Sequence, residues 1–312
     1  MSVCKFFAKV GRKVLWEDAD PRELITCAAD RQAKYACLIK HVKFFEQRAM
    51  WPAPVLSCPQ LPNIQSLQID NISLFASNSQ QLRLFLSSEL RELCIWTAPG
   101  QAHQVSDPRG DITWLSRLGA TCVKLEVLQL EVALDVSAAE LTSFFDSMMQ
   151  LKTICLGSAF DDLDQDTLTA ILTLPKLEHL SLDTAFLTEL LATRKSSEIL
   201  PRATRLALRF LDSEGLAPAI LPTPMITLEH LRITLASATP MPITSLNPAL
   251  LPMLRDLHWL QSFSLVLSTK TIVSIADLLS VASLTHLAYS SDYHQTASSS
   301  QRQSRFCLLR KI

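Results

Sequence analysis

Histidines, cysteines and one acidic run are the side chains of this sequence suited to catalysis or metal binding. A histidine can ligate a metal or carry a proton near neutral pH. His41, His179, His230 and His286 each stand two residues after an apolar residue in a recurring pattern. A metal or catalytic cluster would need them within a few ångströms of one another. Whole copies of the pattern separate them, and Arg205 occupies the same place between His179 and His230. They therefore read as outward-facing surface residues.

The cysteines stand at 4, 27, 37, 58, 94, 122, 155 and 307, with no C-x-x-C pair and no tightly spaced His/Cys set. Zinc sites need such close ligand pairs, so the expectation is reduced thiols that pack as small apolar groups. The run Asp162, Asp164, Asp166 has the opening of a calcium loop. Such a loop needs Gly at its sixth position and Glu at its twelfth, where this chain has Thr167 and Thr173. These acids instead suit the positive end of a helix. Only six glycines occur, too few and too scattered for a phosphate-cradling loop. The patterns G-x-S-x-G, H-E-x-x-H and G-x-x-x-x-G-K-[ST] are all missing from the sequence. The expectation is a non-enzyme with no catalytic, metal-binding or cofactor-binding residues and no cofactor.

The elements that position these side chains follow from leucine, which fills 54 of 312 positions. The pattern L-x-x-L-x-L, with other apolar residues allowed for Leu, starts at Ile39, Ile64, Leu90, Leu125, Leu151, Leu177, Ala203, Leu228, Leu260 and Leu284. Successive starts differ by 25, 26, 35, 26, 26, 26, 25, 32 and 24 residues. The last four positions of each segment alternate, which is the period of a short strand. Between strands, Ser137 with Glu140 forms a capping box ahead of Leu141, Phe144, Phe145 and Met148. Asp164 precedes Leu168, Ile171 and Leu172, and Ile272, Ile275, Leu278 and Leu279 mark a third helix.

A strand-and-helix unit of ~20–29 residues is the period of a leucine-rich repeat. The fold expected is an α/β leucine-rich-repeat solenoid of about ten coils, an irregular horseshoe in which each coil buries its leucines against its neighbours. Asn or Cys usually holds the turn at the ninth position of such repeats. Here that position carries Ala98, Ala133, Ala159, Ala185 or Ala236, which predicts looser coils. The two long segments hold Pro-containing loops at 98–110 and 239–252, the next place to look for binding. Leu128, Leu130, Leu180, Leu182, Leu206 and Leu208 should be buried.

The outward strand positions are small and weakly polar in the middle of the chain. A later section carries His179, Arg205, His230 and Arg232, which could take an acidic or phosphorylated peptide. These four are the candidate partner-binding residues.

The first residues, Val3-Cys4-Lys5-Phe6-Phe7 followed by Leu15-Trp16, resemble the last helix of an F-box. The stretch through Glu17 to Pro21 and Asp30 to Tyr35 is similar to the linker in F-box/leucine-rich-repeat proteins of filamentous fungi. The resemblance implies the substrate-recognition part of an SCF ubiquitin ligase. It also implies a departure, because the sequence starts inside what would be the final F-box helix. As written, the chain is not expected to dock on the Skp adaptor.

Residues 1–20 are thus read as F-box remnant and linker, 21–291 as the repeat domain, and 292–312 as a tail without regular structure. A net charge of −1 supplies no global field for nucleic acid or an anionic membrane. No stretch of 18 apolar residues and no signal peptide is evident, so a cytoplasmic or nuclear protein is expected. The function expected is binding of another protein. The alternative is a free-standing leucine-rich-repeat scaffold or regulator unrelated to ubiquitination.

Overall fold

Alternation of apolar and polar residues gives a strand one side that must be covered, and parallel neighbours need a crossover between them. The computed structural model shows this arrangement, an α/β chain with parallel strand pairs. It describes residues 2–18, 22–44, 60–69, 85–96, 113–131, 137–157, 163–183, 202–210, 227–235, 257, 259–267, 286–291 and 306–310. The chain divides into two compact units, Met1–Cys155 and Leu156–Ile312.

The first unit opens with α1 (Ser2–Glu17), α2 (Arg22–Thr26) and α3 (Ala29–Ala36). The stretch from Asp30 to Tyr35, similar to a linker in the sequence, lies within α3. It folds because Leu24 and Ala36 are buried and because Tyr35 stacks on Trp16 with ring centroids 4.5 Å apart. Strands β1 (His41–Phe44), β2 (Ser66–Ile69), β3 (Glu92–Trp96), β4 (Val127–Glu131) and β5 (Thr153–Leu156) follow. Helices α4 (Thr113–Thr121) and α5 (Ala138–Ser147) precede β4 and β5.

Pairing is parallel with the third residue of each segment opposite the third residue of the next: His41 with Ser66, Ser66 with Glu92, Glu92 with Val127. One contact type sets this register. The Lys40 carbonyl accepts both Gln65 N–H at 2.7 Å and Ser66 N–H at 3.0 Å. The carbonyls of Gln65, Arg91 and Glu126 do the same for the following segments.

The predicted capping box is present. Ser137 accepts from the Glu140 N–H, and the Glu140 side chain accepts from the Ser137 N–H. Leu141, Phe144, Phe145 and Met148 are buried on that helix and just after it. Helix α4 falls inside the long 35-residue segment and was not foreseen. It comes close to α5 at Gly119, where an added Cβ would stand 3.1 Å from Ser147 Oγ.

In the second unit, α6 (Gln165–Leu172) leads to β6 (His179–Asp183), β7 (Arg205–Phe210), β8 (His230–Leu235), β9 (Ser262–Leu267) and β10 (His286–Ser291). Asp164 caps α6 by accepting the Thr167 N–H at 2.8 Å, and Leu168, Ile171 and Leu172 are buried. Strands β6 to β10 pair in parallel with the same register. Strand β11 (Phe306–Arg310) then pairs antiparallel with β10. It lies within the 292–312 tail expected to lack regular structure. Its run Phe306-Cys307-Leu308-Leu309 has the apolar, edge-seeking composition that pairs with an available strand.

The core holds more than the pattern foresaw. Leu128, Leu130, Leu180, Leu182 and Leu206 are buried, and the side chain of Leu208 lies outside the described residues. A further buried residue stands three places before seven of the ten starts, those at which it is among the described residues. Ala36, Leu61, Ser87, Cys122, Met148, Leu174 and Leu257 are all below a tenth exposed. The carbonyl of each accepts the N–H of the segment's first residue, a tight turn that aims the chain into its strand. Ser87 is the polar member, and its hydroxyl is satisfied by donating to the Ile64 carbonyl at 3.0 Å. The ninth-position alanines, the Pro-containing loops at 98–110 and 239–252, and the helix expected around 272–279 lie outside the described residues.

Leu180 is fully buried. Leu180→Ala should destabilise the chain by about 2–5 kcal/mol, the lost transfer energy plus a cavity. Urea-induced unfolding checks this, and a change below about 0.5 kcal/mol, the surface-substitution range, would show that Leu180 is not a core residue.

Candidate functional site

The four candidate residues belong to three adjacent strands of the second unit. His179, Arg205 and His230 are each the third residue of a segment, and the register sets them directly opposite one another across β6, β7 and β8. Their backbones are held by the same twice-accepting carbonyls. Glu178 accepts from Thr204 at 2.9 Å and Arg205 at 3.0 Å, and Thr204 accepts from Glu229 and His230, both at 2.9 Å. Parallel strands lie ~4.8 Å apart, so the three side chains form one short row. Arg232 lies two residues beyond His230, opposite Ala207 on β7 and Ser264 on β9. Small neighbours leave room for its guanidinium to reach the row diagonally.

Apolar residues of the same strands are buried beside the row. Leu180, Leu206 and Leu231 are buried, while Arg205 and Arg232 are exposed. The His230 side chain is 39% exposed, and its Nε2 lies 3.9 Å from Glu229 Oε2. His179 is half-buried. Its pKa is lowered from the ordinary 6.5, first by burial, then by the charge of Arg205 and by His230. At neutral pH His179 is a neutral hydrogen-bonding group opposite the charged Arg205. An anion placed over the row would meet the parallel donors of Arg205 and Arg232, with imidazole edges on either side. His41 in the first unit and His286 in the second occupy the equivalent place on β1 and β10.

The first unit uses the equivalent positions differently. Glu92 accepts from Ser66 Oγ at 2.7 Å, Gln68 Nε2 at 3.2 Å and Cys94 Sγ at 3.6 Å. Ser66 and Cys94 stand at the third and fifth positions of their segments, which strand alternation turns outward, yet both are buried, because this network closes over them. Burial, followed by the neighbouring Glu92, pushes the Cys94 thiol up to about 12. Burial likewise pushes Cys122 and Cys155 up to about 11. Such thiols hold little of the thiolate that nucleophilic or metal chemistry needs. Among the described residues no group of three or more His, Cys, Asp or Glu is placed to hold a metal ion. No described helix is long and apolar enough to cross a membrane.

The depressed pKa gives a pH dependence of definite sign. Below about pH 6.5 the unfolded chain's imidazole takes a proton that folded His179 resists. Its contribution to stability is complete above the ordinary pKa and is lost as the pH falls through the folded value. In an NMR titration His179 should show a midpoint below 6.5. Arg205→Gln should raise that midpoint only part of the way, because burial is the larger cause. A wild-type midpoint at or above 6.5 would contradict the packing described for this row.

No protein-family model matches the chain, and no curated protein does.

Proposed function

We infer that the chain is a leucine-rich-repeat protein that recognises another protein through the strand face of β6, β7 and β8. The partner presents an acidic or phosphorylated segment, gripped by Arg205 and Arg232 with His179 and His230 beside them. One observation carries this reading: the register aligns His179, Arg205 and His230 in a single row with Arg232 diagonal to it. The sequence period of 25–26 residues in most segments supports the repeat class. The resemblance of the first residues to the end of an F-box supports a receptor role, in which the strand face selects a partner protein. The activity proposed is binding, without catalysis or a cofactor.

The test is charge reversal at both guanidinium groups. Arg205→Glu with Arg232→Glu should abolish capture of the partner from native cells while leaving the melting temperature nearly unchanged, since both residues are exposed. A charge-assisted hydrogen bond contributes about 1.5–3 kcal/mol, enough to register in a pull-down when two are lost. If the double variant still captures every protein that the wild type does, the strand face is not the binding surface.

A further inference from the structure

The row on β6, β7 and β8 joins side chains of two kinds. A guanidinium stays charged over the whole working range of pH, whereas an imidazole gains or loses its charge near neutrality. The grip of such a row on an anion therefore has a constant part and a part that pH sets. The second part depends on which imidazole is placed so that an arriving anion changes its charge.

His179 and His230 flank Arg205 from opposite sides, but their surroundings differ. His230 already has a carboxylate near it, with Glu229 Oε2 3.9 Å from its Nε2. The charged and titratable residues on the elements around His179 are Glu178 just before β6 and Asp183 at its end, Arg205 and Arg209 on β7, and Glu229, His230 and Arg232 at β8. Those whose charge acts on it are Arg205 and His230. Both repel a proton from the ring, and half-burial removes the water that would solvate a charge there. His179 is thus neutral for want of a counter-charge.

An anion gripped by Arg205 supplies one. Neighbouring strands lie ~4.8 Å apart, and an opposite charge within ~4–6 Å favours the protonated ring. The anion offsets the repulsion of the guanidinium and adds an attraction of its own. A half-buried pair of this kind is only weakly screened by salt.

We propose that an acidic segment and a proton bind this row together: His179 becomes an imidazolium as the anion settles on Arg205, and acid tightens the grip. The proposal rests on the strand-face reading of Arg205 and Arg232 and adds its regulation. Its sign follows from linkage. In the free chain the ring takes its proton only below the ordinary 6.5, and beside the anion it takes it more readily. The complex then holds more protons than its parts, so binding strengthens as the pH falls through this region. At pH 8 the ring is neutral in both states and the guanidinium groups act without it.

The probe is a hexaglutamate peptide blocked at both ends, whose carboxylates titrate near 4.3 and stay ionised between pH 6 and pH 8. Isothermal titration calorimetry of the full chain, in buffers of different ionisation heat, reads affinity and proton uptake together. Binding should be about threefold or more tighter at pH 6 than at pH 8, with net proton uptake at pH 6 and none at pH 8. In the wild type, adding the peptide should raise the NMR titration midpoint of His179. His179→Gln should bind with an affinity that differs little between the two pH values, whereas His230→Gln should keep most of the difference. Equal wild-type affinity at both pH values, no proton uptake at pH 6, or an unmoved His179 midpoint would overturn the proposal. So would His179→Gln tightening in acid as the wild type does. Any of these leaves the strand-face reading standing, provided that Arg205→Glu with Arg232→Glu abolishes peptide binding. Binding that survives that double variant, or no binding at any pH, overturns the strand-face reading and this proposal with it.

Discussion

A carbonyl oxygen has two lone pairs and can accept two N–H groups at once. The oxygen at the second position of one segment takes the amides of the second and third residues of the next, as at Lys40, Gln65, Arg91, Glu126, Glu178, Thr204 and Glu229. Side chains alternate along a strand, so a shift of one residue would turn every inward leucine to the outside. The doubled hydrogen bond prevents that shift. Within each unit the buried leucines and the outward row at the third position both depend on it.

The same backbone carries two different faces. In the first unit Ser66, Gln68 and Cys94 all donate to Glu92, so its acceptor capacity is turned inward and two supposedly outward side chains are buried. In the second unit the equivalent positions bring Arg205 between two imidazoles and set Arg232 beside small residues. A polar network that satisfies itself offers little to a partner, whereas guanidinium groups exposed on a strand face are ready for an anion. The difference lies wholly in which side chain occupies a position whose backbone geometry is common to both.

The strands, their spacing and the two capped helices were legible because each rests on local chemistry. A period of two marks a strand, and Ser137 with Glu140 or Asp164 marks a helix start. Less visible was the buried residue three places before a segment wherever it is described. Its type varies from Leu61 to Ser87 to Met148, and only the turn hydrogen bond makes these equivalent. Closure over Ser66 and Cys94 was hidden because it needs Glu92 from the next strand. Helix α4 escaped notice because the Pro- and Gly-containing loop at 98–110 drew the segment's reading towards irregular structure. Strand β11 was masked by the serine- and glutamine-rich stretch before it. The candidate row was visible in the sequence once the register was assumed, but the half-burial of His179 was not. It arises from packing against neighbouring strands.

The most direct test of this account is native-state hydrogen exchange resolved at single amides. Thr204, Arg205, Glu229 and His230 donate in pairs to the carbonyls of Glu178 and Thr204, which hold the candidate row in line. The account predicts that these four amides are strongly protected and exchange only through a shared opening, with closely similar protection within each pair. Exchange of Arg205 and His230 at the rate of an unstructured chain would contradict it, because the row would then have no backbone to align it.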